Sequence, residues 1–183
     1  QYEDLGKQIT TFKRNKVPKN LLFATMTEYE QGLPVLVAFP PVPISMTFAR
    51  YISELGWRQF HIAETEKERH VTYYFDGKRE DPFSGEDRLE IPSPKDVATY
   101  DQKPEMSAKK VTETLIKRLQ MRMYDFIIVN YANPDMVGHT GNLEAGIKAC
   151  ETVDKYLEKV VNNVLSHNGI CFVTADHGNA EEM

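Results

Sequence analysis

Cysteine and tryptophan are almost missing from this chain, with two of the first and one of the second in 183 residues. The two cysteines, Cys150 and Cys171, both lie in apolar-periodic stretches. That scarcity excludes a disulfide scaffold and predicts core thiols in a reducing compartment. No apolar run approaches the ~18 residues of a membrane-spanning helix. The opening Gln1-Tyr2-Glu3-Asp4 has none of the character of a signal peptide. A cytoplasmic protein with no membrane partner is therefore expected. Surplus positive charge is also lacking: the net charge of −5 argues against a polyanion binder, nucleic acid included. It leaves room for a local basic pocket that takes one small anion. Internal repeats and low-complexity tracts are absent. What is present is a 41% hydrophobic fraction, enough for a core, over a length that suits one domain or one plus part of another.

The first sixteen residues are polar and end in Lys13-Arg14-Asn15-Lys16. Strands are predicted at 21–25 and 34–39, followed by Phe39-Pro40-Pro41-Val42-Pro43. Three prolines in four residues can neither donate to a ladder nor continue a helix, so a stiff connector and a domain boundary are placed there. The alternative is a proline-rich surface loop within one domain. Beyond it the pattern alternates. A helix is predicted over 47–55, ending at Gly56, then a strand over 58–63 and a helix over 64–75. Residues 77–106 read as a long irregular segment of the functional kind. Ser107 opens a helix with Val111, Leu115 and Leu119 on one face, and 125–130 reads as a strand buried on both sides. A long helix with Leu143, Ile147, Cys150, Leu157, Val161 and Val164 on its apolar face follows, then a buried strand over 170–174. Strands alternating with helices imply an α/β fold: a parallel-rich sheet with helices on both faces.

Ligand sites in such sheets lie beyond the carboxyl ends of the strands. Two polar clusters fall there, Asn130 to Gly141 and Ala175 to Asn179, and each supplies one aspartate and one histidine. Neighbouring strand ends lie ~5 Å apart, so the clusters can share a site. Carboxylate with imidazole suits borderline divalent ions such as zinc or manganese. Asp135 and His139 are four apart, on one face of a helical turn. Asp176 and His177 are adjacent and need a sharp turn, which Gly178 would permit. Taken alone, each pair reads more readily as a turn or helix cap, and only the two together favour a metal site. Glu64-Thr65-Glu66-Lys67 reads on composition as an ordinary acidic first turn. His61, His70 and His167 have no predictable partners.

The assembled residues closely resemble cofactor-independent phosphoglycerate mutases of the alkaline phosphatase superfamily. The resemblance covers essentially the whole chain. It is carried by Met26-Thr27-Glu28-Tyr29, Glu64-Thr65-Glu66-Lys67, Phe83-Ser84-Gly85-Glu86-Asp87-Arg88, Val97-Ala98-Thr99-Tyr100-Asp101, Pro104-Glu105-Met106-Ser107, the run from Asn130 to Gly141, and Thr174-Ala175-Asp176-His177-Gly178-Asn179. It implies interconversion of 3-phosphoglycerate and 2-phosphoglycerate, a small phosphorylated three-carbon acid, through a phosphoserine. Two divalent metal ions, manganese foremost, serve the reaction, and bisphosphoglycerate does not. Asp135 and His139 are placed on one ion, Asp176 and His177 on the other. Lys67 is matched to the active-site lysine that neutralises phosphoryl oxygens. Residues 1–38 match the end of a transferase domain, 39–44 a hinge, and 45–183 part of a phosphatase domain.

The nucleophilic serine with its aspartate, the arginine pair that binds phosphoglycerate, and the last histidine ligand have no counterpart here. Glu68-Arg69 replaces a more usual aromatic-small pair. The resemblance therefore implies an internal portion of a longer and monomeric enzyme. By itself this portion is expected to bind manganese weakly, to lack mutase activity and to self-associate through an uncovered edge. Two alternatives stand beside that reading. One is another metal-dependent phosphomonoesterase or phosphodiesterase of the superfamily, and the other is a non-catalytic domain that kept the fold.

Overall fold

A computed structural model describes residues 20–30, 32–42 and 44–183. The polar run over 1–16 and Pro43 of the connector lie outside the described residues. The chain divides into two compact units, 1–43 and 44–183. No helix among the described residues is long and apolar enough to cross a membrane.

In the first unit, β1 (Ala24–Thr25) pairs in parallel with β2 (Leu36–Val37). Both strands are much shorter than the apolar runs around them. Leu22, Leu36 and Phe39 stay exposed, so no covered face rewards longer pairing.

The second unit is built on a three-stranded parallel sheet in the order β4 (Glu86–Ile91), β3 (Gln59–Glu64), β5 (Phe126–Asn130). Central β3 is buried at every position, and its alternating side chains serve two cores. Phe60 and Ile62 join Ile91, with Val111 and Leu115 of α3 (Ala108–Gln120) and Val160 of α5 (Leu143–Ser166). Each such fully buried side chain stabilises the fold by roughly 1.5–3 kcal/mol. On the opposite face His61 packs edge-on to Phe75, and Phe126 of β5 meets Phe48 of α1 (Phe48–Glu54). The Gln59 amide donates to Ala49 O of α1 at 2.8 Å. Helices thus cover both faces of a parallel α/β sheet.

Helix α1 begins where Thr47 Oγ1 accepts from Arg50 N (3.2 Å), satisfying an orphan amide. Gly85, just before β4, has φ +79, and a Cβ there would lie 2.9 Å from Trp57 O. Gly85→Ala is therefore expected to cost about 1–3 kcal/mol. Urea melts of both proteins check this, and an unchanged midpoint would contradict it.

Several expectations are corrected. The helix expected over 64–75 is a 3-10 turn (Thr65–Lys67) and one short α2 (Glu68–Val71). The β-branched and aromatic run from Val71 to Phe75 resists helix. Thr72 Oγ1 turns back to donate to Glu68 O at 2.9 Å. The segment 77–106 is not wholly irregular, because β4 lies inside it. That strand hides behind its charges: it sits at one edge of the sheet, and Glu86-Asp87-Arg88 carries no apolar period. Strand β5 is half-buried along its length, not enclosed on both sides.

The 170–174 stretch is not a strand. Its residues make no backbone–backbone hydrogen bond among the described residues, and Ile170 and Phe172 are 82% and 91% exposed. An apolar run becomes a strand only when a neighbour supplies ladder bonds. The cysteines are not core fillers either: Cys150 is exposed and Cys171 half-buried. On α5 the buried stripe is Ala145, Gly146, Ala149 and Val160, with Leu143 and Ile147 exposed. Small residues let α5 approach Val137 closely, so the helix turns away from its larger apolar side chains.

Candidate metal and phosphoryl site

Three chain segments meet beyond the carboxyl ends of β3 and β5. The 3-10 turn after β3 holds Lys67, whose side chain is 4% exposed. After β5 the chain enters α4 (Asn133–Gly138), with Pro134 in its first turn and Asp135 one turn before His139. Asp176, His177 and Asn179 come from the turn that follows the unpaired 170–174 stretch.

The Lys67 ammonium stands among the acidic and imidazole groups of the other two segments. Its Nζ is 2.5 Å from Asp135 Oδ2, 2.9 Å from His177 Nε2 and 3.8 Å from Asp176 Oδ2. His177 Nε2 lies 3.7 Å from Asp135 and 3.8 Å from Asp176. His139 Nε2 lies 3.2 Å from Asp135 Oδ1. All five side chains singled out in the sequence, Lys67, Asp135, His139, Asp176 and His177, are therefore brought together. Residues 135 and 176 are joined through the lysine.

The hydrogen bonds also set chemical form. His177 Nδ1–H donates to Gly178 O at 3.2 Å, which leaves Nε2 with its lone pair to accept from Lys67. That tautomer is the one a cation requires. Burial pushes the Asp135 carboxyl up, but bonds from Lys67 and Asn179 outweigh it and hold the group below its ordinary range. Asp176 is likewise pushed up by burial and brought below its ordinary range by the Asn130 bond and the charge of Lys67. Both carboxylates are thus ionised at neutral pH. One ammonium against two carboxylates leaves a net negative site that suits a divalent cation, and carboxylate with neutral imidazole is the donor chemistry of borderline metals.

Sequence reasoning missed the groups that aim the carboxylates. Asn130 Nδ2 donates to Asp176 Oδ2 at 2.9 Å, and Asn179 Nδ2 donates to Asp135 Oδ1 at 2.7 Å. Asn130 was findable as the polar residue that ends an apolar strand. Asn179 depends on Gly138, since a Cβ there would lie 2.8 Å from Asn179 Oδ1. The Asp176–His177 turn does not rest on a left-handed Gly178, which is not among the positive-φ glycines. Instead His177 N donates to Asp176 Oδ1 at 3.1 Å.

His70 of α2, expected to lack partners, has its Nε2 4.0 Å from Asp176 Oδ2. Burial, reinforced by Lys67, lowers its pKa. His61 also has partners, a bond to Gln59 Oε1 at 3.0 Å and Glu86 at 3.5 Å, inside the sheet and away from this site. Glu66, beside the lysine, accepts from the Tyr100 hydroxyl at 2.6 Å.

A model of the metalloenzyme superfamily matches residues 20–183. The chain belongs to that superfamily. Among curated metalloenzyme relatives, the 2,3-bisphosphoglycerate-independent phosphoglycerate mutase of Chloroflexus aurantiacus is 60% identical over 174 residues, covering 95% of this chain and 32% of the relative. The Clostridium novyi protein of the same name is 54% identical over 178 residues, covering 97% of this chain and 34% of its own length. The chain thus spans about a third of the length of the curated relatives it matches. A crystal structure of Leishmania mexicana phosphoglycerate mutase at low cobalt concentration superposes with TM-score 0.81 at 36% identity, covering the whole of this chain and 33% of that one. The α/β fold of this metalloenzyme portion is therefore that of a phosphoglycerate mutase.

Proposed function

We propose that the protein carrying this chain interconverts 3-phosphoglycerate and 2-phosphoglycerate, with Asp135 and His139 serving one divalent cation and Asp176 and His177 a second. The observation that carries the reading is the buried Lys67 ammonium within 4 Å of Asp135, Asp176 and His177 at the strand ends of a metalloenzyme sheet. The names of the relatives, and the low cobalt concentration at which the Leishmania mexicana structure was obtained, support the same assignment. Manganese fits this mixed carboxylate–imidazole set. In this reading residues 1–38 end a transferase domain, 39–44 form a hinge, and 45–183 belong to a phosphatase domain. The same reading makes the protein a cytoplasmic one.

When bound, such cations withdraw charge from a transferring phosphoryl group and hold its oxygens in line. The residues of this chain supply the rest. Asp135 and Asp176 stay ionised and are aimed by Asn179 and Asn130. Lys67, fixed at the turn after β3 and shielded from water, offers an ammonium to the phosphoryl oxygens, where low exposure strengthens each charge pair. Its partners in the structure are carboxylates, so a phosphoryl group would exchange one set of anionic oxygens for another. Among the described residues no serine or threonine hydroxyl bonds to Lys67, Asp135, Asp176 or His177. These side chains account for charge and geometry, and the nucleophile of the proposed phosphoserine is not assigned to them.

The 183-residue chain is expected to bind Mn2+ measurably but to convert no 3-phosphoglycerate by itself. EPR of free Mn2+ and a coupled assay for 2-phosphoglycerate test the two halves. Absence of Mn2+ binding would overturn the metal assignment. Turnover by the isolated chain would show that its own residues include the nucleophile.

A further inference from the structure

We infer that Gly146 of α5 is a seat for the Met183 thioether, and that this seat positions the 176–183 segment over α4 and α5; its bearing on the cation rests on the reading above. Gly146 is buried, although Leu143 and Ile147 of the same helix turn are exposed. What covers it is Met183. A Cβ at Gly146 would lie 2.8 Å from Met183 Cε and 3.2 Å from Sδ. Apart from its chain neighbours and the helix backbone, no other atom of the described residues comes within 4 Å of that point. The thioether therefore rests on bare backbone, closer than a side chain at 146 would permit. Gly138, at the end of α4, has the same kind of cover: its Cβ would lie 2.8 Å from Asn179 Oδ1 and 3.6 Å from Ala180 Cα. The two helices are held together by Val137, Ala145 and Ala149, so both bare places belong to one packed body.

Local bonds deliver Met183 to its seat. Glu182 N donates to Asn179 O at 3.1 Å, and Asn179 N donates to Glu181 Oε2 at 2.8 Å. The chain turns back over 179–182, and the side chain of Met183 comes down on α5. Methionine suits such a place, because its unbranched thioether fits an irregular gap. Met183 remains 44% exposed. A half-buried contact of this kind is worth on the order of tenfold in the equilibrium between a docked and a released segment. Asp176 and His177 come just before it in the chain, after the 170–174 stretch, which makes no backbone–backbone hydrogen bond among the described residues. Met183 is thus a positioning residue, acting through the segment that presents Asp176 and His177.

The test uses the full chain with 13C-labelled methionine methyls. A nuclear Overhauser effect from the Met183 methyl to the Gly146 α-protons is expected, and its absence overturns the seat whether or not any variant folds. Gly146→Val fills the seat while removing a mid-helix glycine, so α5 itself is not weakened. Met183→Ala empties it. Each single change is expected to lower Mn2+ affinity about tenfold, with circular dichroism unchanged. Gly146→Val combined with Met183→Ala exchanges the large and small partners and is expected to recover most of that loss. A double variant that binds more weakly than either single one would show a general disturbance and overturn the positioning role, as would single variants with unchanged affinity. A chain that shows the Overhauser effect but binds no Mn2+ overturns the cation reading, and the positioning role with it, while the seat stands.

Discussion

Asp135→Asn is expected to lower the affinity of the chain for Mn2+ about 100-fold or more. Replacing even an outer-shell partner of a metal ligand typically costs 10–100-fold. Asp135 offers far more. It is almost buried, with Oδ2 on Lys67 at 2.5 Å and Oδ1 between Asn179 at 2.7 Å and His139 at 3.2 Å. The substitution keeps the shape of the side chain and removes its charge. One carboxylate, Asp176, is then left against the Lys67 ammonium, so the site loses the net negative charge that attracts a dication. Titration of free Mn2+ by EPR measures the effect. Asp154→Asn, on the exposed side of α5, should leave the affinity unchanged. An Asp135→Asn chain that binds Mn2+ within threefold of the unaltered one would remove Asp135 from the site.

The second large effect concerns stability and pH, and it arises from charges inside the sheet. Arg88 bridges Asp76 and Glu86, with Nη2 on Asp76 Oδ2 and Nε 2.5 Å from Glu86 Oε1. His61 lies beside them, and both acidic side chains are fully shielded from water. Burial, then repulsion from Glu86, pushes the Asp76 carboxyl up to about 7 despite Arg88. Burial likewise raises Glu64 to about 7, against the opposing bond from Ser107 N. An unfolded aspartate releases its proton near pH 3.9. Between roughly pH 4 and pH 7 the native chain therefore holds protons that the unfolded chain has lost. Stability consequently falls as pH rises through this window, by about 1.4 kcal/mol per pH unit for each fully shifted group, and levels off above it. Asp76→Asn keeps an oxygen for Arg88 and removes the titration. From pH 4 to pH 8 the unaltered protein should lose ~4 kcal/mol more stability than the variant. Urea denaturation across that range is the measurement. Parallel curves would show that Asp76 ionises in the fold as readily as in the unfolded chain.

How far the sequence was legible depended on how local each signal was. The Asp135–His139 pair lies just beyond the end of β5, as an alternating α/β pattern implies, whereas Asp176 and His177 follow a stretch that is no strand and reach Asp135 through Lys67. The lysine followed only from the family resemblance, because nothing local distinguishes Glu64-Thr65-Glu66-Lys67 from a solvated first turn. His70 was passed over for a different reason. Its partner is 106 positions away, across a turn whose path is set by tertiary contacts. Strand β4 was invisible because Glu86 and Arg88 satisfy each other and Asp76 within the fold, and from the sequence alone such charges suggest a loop. The opposite error came at 170–174, where apolar residues promised a strand. A strand needs a neighbour as well as a pattern, and only the pattern can be read from one segment.

That last stretch has a consequence for the cation site. Asp135 stands on a helix seated directly on a laddered strand, whereas Asp176 and His177 hang from backbone that no ladder stitches down. The Asn130 and Asn179 amides, together with the Lys67 ammonium, are then the clasps that close one half of the site upon the other. A dication held by Asp176 and His177 would then steady, like a rivet, an arm that these few side chains tie to the body of the protein.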